Sequence, residues 1–401
     1  MQGEKNINIT QSVNQVQDFS LMQSGIFYNL FWKSKLCGVN LEHPERKILA
    51  LTLITWLPLL ILSLIHSSIP DLKVPFLHNI EVHIRFLAAL PIFVLAEVVA
   101  NRRIRILIKQ FYLRRIIGDE ELPLLNNAIQ KATRLANSKI ADAILILLVF
   151  TLGNWFWGMN FTLSKVNTWC ATVNDGVKHF TLAGDWYAFI SVPIFQFVLI
   201  RWIYNLFVFG YLLFQISKLN LRIIPIHPDR SGGIGFLVDY LHLITPFVFA
   251  LSTLSAGGIA DKIFFEGTGL YDFRFTIFGY VISTVTITIS PLLLFIPKLY
   301  NHKRRDFREY GILSTKYVHD FYDKWIAGKN PAGEQLLGTP DIQSLADLDG
   351  SYSIARDMRA VPFTFQNFTS LLLIACLPFV PLLLTVMSVD KLAEWLFNTL
   401  F

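Results

Sequence analysis

The chain has 401 residues, of which 53% are hydrophobic and only 16% are charged, and its mean hydropathy is +0.47. Soluble domains carry about 25% charged residues, so this composition excludes an ordinary soluble enzyme. The net charge of +6 suits a membrane protein whose basic loops lie on one side of the bilayer, and we expect no nucleic-acid partner.

Apolar runs of about 20 residues, the length that crosses a bilayer as a helix, recur along the chain. They predict an all-α fold, a polytopic transmembrane helical bundle of about seven spans with cytosolic helical extensions. We expect the transmembrane domain over 46–390, after a polar leader and interfacial helix over 1–45 and before a short external helix at 391–401. The predicted spans are 48–66, 82–100, 140–160, 186–210, 238–260, 276–297 and 367–387.

The basic residues predict the orientation of these spans. The leader and every second connection hold five, nine, three and ten Lys and Arg residues, whereas the segments between them and the C-terminal end hold one, two, two and one. Because Lys and Arg are retained on the cytoplasmic side, the N-terminus is expected inside and the C-terminus outside.

Two connections on the predicted inner side have helical patterns. In 101–139, the residues Ile104, Leu107, Ile108 and Phe111 form an apolar stripe among basic residues. This pattern favours a membrane-surface helix that binds anionic lipid head groups over 102–115. In 298–366, aromatic residues at near-helical spacing predict that span six continues into the cytosol and ends near Gly328–Gly333.

Two enzyme-like or metal-like patterns carry little weight. The stretch "LADLDGSYS" at 345–353 resembles the nucleophile motif of aspartyl phosphatases, but no apolar strand precedes it and the segment is too short for their sheet. The four histidines His66, His78, His83 and His179 fall on the predicted outer side without the i, i+4 spacing of a strong zinc motif. We therefore expect no metal site and no cofactor.

Arg201, in "FQFVLIRWIYNLF", is the most informative residue of the predicted spans. A buried arginine in the membrane usually pairs, faces water or extends to the interface. Glu97 is the first expected partner and Asp142 the second, and Asp239 and His242 are expected at similar depth. The cluster indicates either an ion or substrate path or a structural ion pair.

Hydroxyl groups in span six are a second candidate for such a path. Thr284 and Thr288 share a helix face near Pro291, where the backbone hydrogen-bond ladder is interrupted. Hydroxyl residues beside a kink can line a wet path, but they also allow close helix packing.

The stretch "HPDRSGG", from His227 to Gly233, precedes span five on the predicted cytoplasmic side. Asp229 or Ser231 can cap the following helix, and Gly232 and Gly233 allow a close backbone approach. This favours a glycine-hinged helix entry. The free N–H groups and Arg230 could also hold an anion there, so the motif is a candidate gate.

Three stretches together resemble a family of uncharacterised bacterial multi-pass membrane proteins. They are "HPDRSGGIGFL" (227–237), "KRRDFREYG" (303–311) and "DIQSLADLDGSYSIARDMRAVPF" (341–363). The resemblance covers most of 45–390 and implies a bacterial inner-membrane location. It implies no activity and therefore no catalytic residue.

Three functions follow from these patterns. The leading hypothesis is an ion channel or small-solute transporter, with an anion among the candidate solutes. The second is a membrane scaffold or sensor that docks a cytosolic partner. The third is a membrane-embedded lipid-modifying enzyme that uses His227 and Asp229 as acid and base. We also expect a homo-oligomer.

Overall fold

The computed structural model describes residues 20–23, 25–36, 38, 41–65, 74–153, 168–174, 177–329 and 335–386. The described part is almost entirely helical, as predicted, with one short antiparallel hairpin of β1 (Ala171–Asn174) and β2 (Val177–Phe180). Two short 3-10 turns, Phe76–His78 and Asp119–Glu121, precede longer helices. The predicted external helix at 391–401 and residues 1–19 of the leader lie outside the described residues.

Six helices of the described part are long and apolar enough to cross a membrane. The length and apolar composition of these helices indicate an integral membrane protein. A seventh span was predicted over 140–160, and its first part is helical as α5, Lys139–Leu148, continued by Val149–Gly153. The remainder of that prediction lies outside the described residues. The six helices are α2 (Pro44–Ile65), α3 (Ile80–Leu113), α6 (Leu182–Lys218), α7 (Gly235–Glu266), α8 (Leu270–Leu293) and α11 (Phe365–Thr385).

Four further helices complete the described fold. The short α1 (Ile26–Lys33) precedes the first span, and α4 (Leu122–Ala136) lies between α3 and α5. After α8 come α9 (Ile296–Trp325) and α10 (Pro340–Arg356). The break between α8 and α9 coincides with Pro297 in the first turn of α9, so the predicted continuation of span six is interrupted by two residues.

The helix α7 lies in the middle of the bundle, where it packs on α3, α11 and α8. Phe247 of α7 stacks on Trp202 of α6 with ring centroids 4.8 Å apart, and it lies 5.5 Å from the ring of Phe93 in α3. The indole N–H of Trp202 donates to the carbonyl of Phe93 at 3.1 Å. A buried indole needs such a partner, so this contact fixes α6 against α3 at the level of the site described below.

The basic helix at 101–113 differs from the expectation. It is not a separate surface helix, because α3 runs on without a break to Leu113. Its 34 residues correspond to about 50 Å of helix. The stripe of Ile104, Leu107, Ile108 and Phe111 is at most 2% exposed and packs inside the protein, so these residues do not face lipid. Lipid binding by the neighbouring arginines stays a prediction.

The helices α9 and α10 form an antiparallel hairpin beyond the spans. At one end, the Asp341 carboxylate accepts hydrogen bonds from Lys324 Nζ at 3.0 Å and from Trp325 Nε1 at 2.9 Å. These two donors lower the pKa of Asp341. At the other end, the rings of Phe307 and Tyr352 lie 5.3 Å apart. The hairpin therefore has its own ring and hydrogen-bond contacts outside the main core.

Candidate functional site

A cavity of about 180 Å³ lies between the N-terminal segment and the helices α2, α3, α5 and α6. Three of the residues expected in an intramembrane path, Arg201, Glu97 and Asp142, converge on it. The apolar share of its wall comes from aliphatic and aromatic side chains. The full lining is Met22, Gly25, Tyr28, Phe31, Lys47, Leu51, Ile54, Glu97, Asp142, Ile194, Phe197, Val198, Arg201 and Asn205.

Arg201 forms a buried ion pair with Asp142, the second of its two expected partners. The distance from Arg201 Nη1 to Asp142 Oδ1 is 2.6 Å, and Arg201 Nη2 also donates to the carbonyl of Ala136 at 2.9 Å. The side chains are 10% and 2% exposed. The first turn of α5 brings Asp142 to this depth, because Ser138 caps that helix at Ala141 N. The guanidinium is thus held by a charge and a carbonyl together.

Glu97 was the first expected partner of Arg201, and it pairs instead with Lys47. Lys47 enters the site from the first turn of α2, and its Nζ lies 5.1 Å from the centroid of the Phe31 ring. Both side chains of the pair are less than 15% exposed. Two positive and two negative side chains therefore face one cavity, and their formal charges cancel. No sequence pattern distinguished Lys47, because it stood among the basic residues before the first span.

Asn205 adds one buried acceptor atom to the cavity wall that has no hydrogen-bond partner among the described residues. It lies one turn after Arg201 on α6 and is 4% exposed. Its Nδ2 donates to the sulfur of Met22 at 3.2 Å, and its Oδ1 has no hydrogen-bond partner among the described residues. A buried acceptor without a partner costs about 1–3 kcal/mol, so such an atom at a cavity wall indicates a place for a donor from a bound molecule.

The segment before α1 is packed into the bundle as one wall of the cavity. Ser20 Oγ donates to Asn101 Oδ1 at 2.5 Å, and Gln23 Oε1 accepts from Arg105 at 2.8 Å. Leu21 is completely buried. The expectation was an interfacial helix within residues 1–45. The helix is present as Ile26–Lys33, but Ser20, Leu21 and Met22 before it are buried inside the protein.

Gly25 lies at the closest approach of this segment to the ion pair. Its φ is +92°, and a Cβ there would lie 2.8 Å from Arg201 Nη2 and 2.9 Å from Asp142 Oδ2. A side chain at this position would be strained and would also push against the ion pair. The N-terminal segment thus seats directly on the Arg201–Asp142 pair. No pattern in the sequence distinguished Gly25 from other glycines.

Comparisons with protein-family models, with curated proteins and with solved structures found no match for this chain. The resemblance described above therefore stays an expectation.

Four of the expected path residues lie elsewhere. Asp239 lines a separate open cavity of about 480 Å³ with Arg102 and Arg103. His242 is exposed on α7. Thr284 and Thr288 lie on α8 and do not line the 180 Å³ cavity. Asp239 and His242 were expected at similar depth to Arg201, but neither of them lines the 180 Å³ cavity.

The structure places the HPDRSGG motif at the entry to α7. The Asp229 carboxylate accepts from the backbone N–H groups of Ser231, Gly233 and Gly235 at 2.8, 3.1 and 2.8 Å, and His227 Nδ1 lies 2.9 Å from it. Burial alone would raise the pKa of Asp229, but these N–H donors and His227 outweigh burial and hold the pKa below its ordinary value. The carboxylate organises the turn and caps the helix entry.

The same motif fastens the segment after α10 to the bundle. Arg359 Nη2 donates to the carbonyl of Asp229 at 2.7 Å and to Ser231 Oγ at 3.1 Å. The backbone N–H of Arg359 donates to the carbonyl of Arg230 at 2.7 Å. Gly232, with φ +67°, fits against Ile223, whose Cγ2 would lie 2.2 Å from an added Cβ. The motif thus links the segment after the helical hairpin to the entry of α7. We call these contacts of Arg359 with Asp229, Arg230 and Ser231 the clasp.

Proposed function

We propose that the protein is a small-solute transporter or channel of a bacterial inner membrane, with the 180 Å³ cavity in its path. The observation that carries this proposal is the pair of buried ion pairs at one cavity between membrane-spanning helices. Ionisable residues at this depth are costly and usually mark an ion or substrate route. The N-terminus is placed in the cytoplasm and the C-terminus in the periplasm, on the strength of the basic-residue distribution.

The charges at the cavity restrict the solute. Arg201 is matched by Asp142 and Lys47 by Glu97, so the site offers no net positive charge to a bare anion. A charged solute would leave one charge without a partner in a medium of low dielectric, which is strongly unfavourable. A solute without net charge is favoured over the anion among our first candidates.

The N-terminal segment is the moving part in this proposal. Ser20–Gln23 and Gly25–Lys33 close one side of the cavity, and the contacts that hold them include Ser20 with Asn101, Asn205 with Met22, Gln23 with Arg105, and Gly25 against the ion pair. Because the segment is short, its displacement would open the cavity without separating two membrane-spanning helices. We therefore place the gate at this segment.

Flux through reconstituted vesicles tests the proposal. Solute entry into proteoliposomes is followed by light scattering with a panel of chloride, potassium, glycerol and neutral amino acids. We expect saturable entry of at least one solute, reduced at least tenfold in Arg201→Ala. Asn205→Leu keeps both ion pairs and narrows the cavity, so it should also reduce flux even if Arg201→Ala folds poorly. His242→Ala, on an exposed position of α7, is the matched control. Unchanged flux in Arg201→Ala and Asn205→Leu would overturn the proposal.

A scaffold or sensor is the second candidate, and the α9–α10 hairpin supports it. Ile312, Leu313, Tyr322 and Ile326 are more than half exposed there, and such a surface suits a protein partner. Vesicles that stay tight to every solute, with a co-purifying protein that is lost in Ile312→Ser, would favour this candidate. The lipid-modifying alternative has no geometric support, because backbone donors already occupy the Asp229 carboxylate.

A further inference from the structure

The Lys47–Glu97 pair presents unused hydrogen-bonding groups to the cavity. Within the part of the chain that the structure describes, Glu97 Oε2 accepts from Lys47 Nζ and Glu97 Oε1 has no partner. An ammonium has three N–H donors, and this one uses only one of them on another side chain. An open acceptor and open donors therefore stand beside each other on one wall.

A zwitterion matches this arrangement. Its ammonium can donate to Glu97 and its carboxylate can accept from Lys47, so each charge added to the site meets an opposite charge. Because a zwitterion has no net charge, it leaves the balance of the cavity unchanged. The unpartnered Asn205 Oδ1 supplies a further acceptor for an N–H group. A bare cation or anion satisfies only one half of this set.

The rest of the cavity wall determines which uncharged part of a ligand fits there. It is apolar, with Leu51, Ile54, Ile194, Phe197 and Val198, and such a surface favours an aliphatic group. The volume of the cavity is about 180 Å³. That space suits a short side chain.

We propose that the cavity binds a small amino-acid-like zwitterion with a short aliphatic body. The inference rests on the proposed transport function for its physiological role, but binding itself is measured without transport. Glu97 and Lys47 hold the two charges of the ligand, and Asn205 accepts from its ammonium.

Calorimetry on the purified full-length protein tests the ligand class. The probe is L-valine, compared with valinamide, which keeps only the positive charge, and with 3-methylbutanoate, which keeps only the negative charge. We expect saturable binding of valine and at least tenfold weaker binding of both analogues. Glu97→Gln should weaken valine binding at least tenfold, which is about 1.4 kcal/mol. Asn205→Leu should weaken it as well with both ion pairs intact, and His242→Gln should leave it unchanged.

The outcomes separate this inference from the proposed function. Valine binding with these specificities but no flux in vesicles upholds the ligand class and refutes transport. Flux of another solute without valine binding refutes the ligand class and upholds transport. Equal binding of the three probes, or equal binding by wild type and Glu97→Gln, refutes the ligand class.

Discussion

Removing one partner of the Arg201–Asp142 pair should destabilise the protein strongly. In Asp142→Asn, the guanidinium of Arg201 keeps its hydrogen bond to Ala136 but loses the carboxylate at 2.6 Å. Leaving one charge of a buried pair without its partner costs about 3–5 kcal/mol. We expect a loss in that range because Asp142 is only 1% exposed.

The assay is the free energy of unfolding in mixed micelles, titrated with a denaturing detergent. The control is Asp323→Asn, which removes an ion pair with Lys329 whose side chains are both more than half exposed, and which should cost less than about 1 kcal/mol. A double-mutant cycle with Arg201→Met isolates the pair. The double variant should lose about 2 kcal/mol less than the sum of the single variants. If Asp142→Asn costs no more than Asp323→Asn, or if the cycle is additive, the ion pair is not a buried unit and the reasoning is wrong.

Three further predictions concern the clasp and the N-terminal segment. Gly232→Ala should lower the free energy of unfolding by more than about 2 kcal/mol, since backbone strain of about 1–3 kcal/mol adds to the clash with Ile223. The control is Gly328→Ala, which is also at positive φ but has open space around it, so it should cost only the strain. Equal losses in the two variants would contradict the clash. Asp229→Asn should lower the unfolding free energy by about 1–3 kcal/mol at neutral pH. Because the pKa of Asp229 is lowered in the folded protein, its contribution to stability is present above the unfolded pKa of about 3.9 and is lost as pH falls through the folded pKa. The unfolding free energies of wild type and variant should therefore converge below about pH 4. A difference that stays constant with pH would contradict this. Gly25→Val should speed hydrogen exchange of residues 20–33 while exchange in the spans stays slow, and unchanged exchange in that segment would show that it is not seated on the ion pair.

The spans could be predicted from sequence because the bilayer imposes a simple rule. A helix across hydrocarbon needs about 20 apolar residues, and six described helices obey it. The ends were harder to predict. α3 continues to Leu113 because its polar end packs against protein, and no local pattern distinguishes that from a helix on the membrane surface.

A carboxylate partner for Arg201 was predictable, and the choice between Glu97 and Asp142 was not. Counting residues along a helix gives a depth, but the face that each helix turns to its neighbour depends on packing. Asp142 pairs with Arg201 because α5 begins beside Arg201, whereas Glu97 pairs with Lys47. Gly25 became part of the site through an approach between distant segments, which no motif records.

The sequence also left the role of the HPDRSGG motif open. Its residue types suggested a helix cap, an anion site or a catalytic turn. Three backbone N–H groups donate to the Asp229 carboxylate, which favours the helix cap. The structure was needed to choose among the alternatives because each of them uses the same residues. The contact with Arg359, far along the chain, added a link that spacing could not indicate.

The access of water to the cavity tests the central claim most directly. Asn205→Cys is placed in a chain whose three native cysteines are replaced by serine, and its reaction with a membrane-impermeant thiol reagent is followed in sealed vesicles. Val208→Cys, one turn further along the same helix at a fully buried position, is the control. A solute path predicts that the cysteine at 205 reacts from one side of the membrane much faster than the cysteine at 208, and that valine slows the reaction. If the two cysteines are equally unreactive, the cavity is closed to water and the charged cluster is a structural ion-pair network.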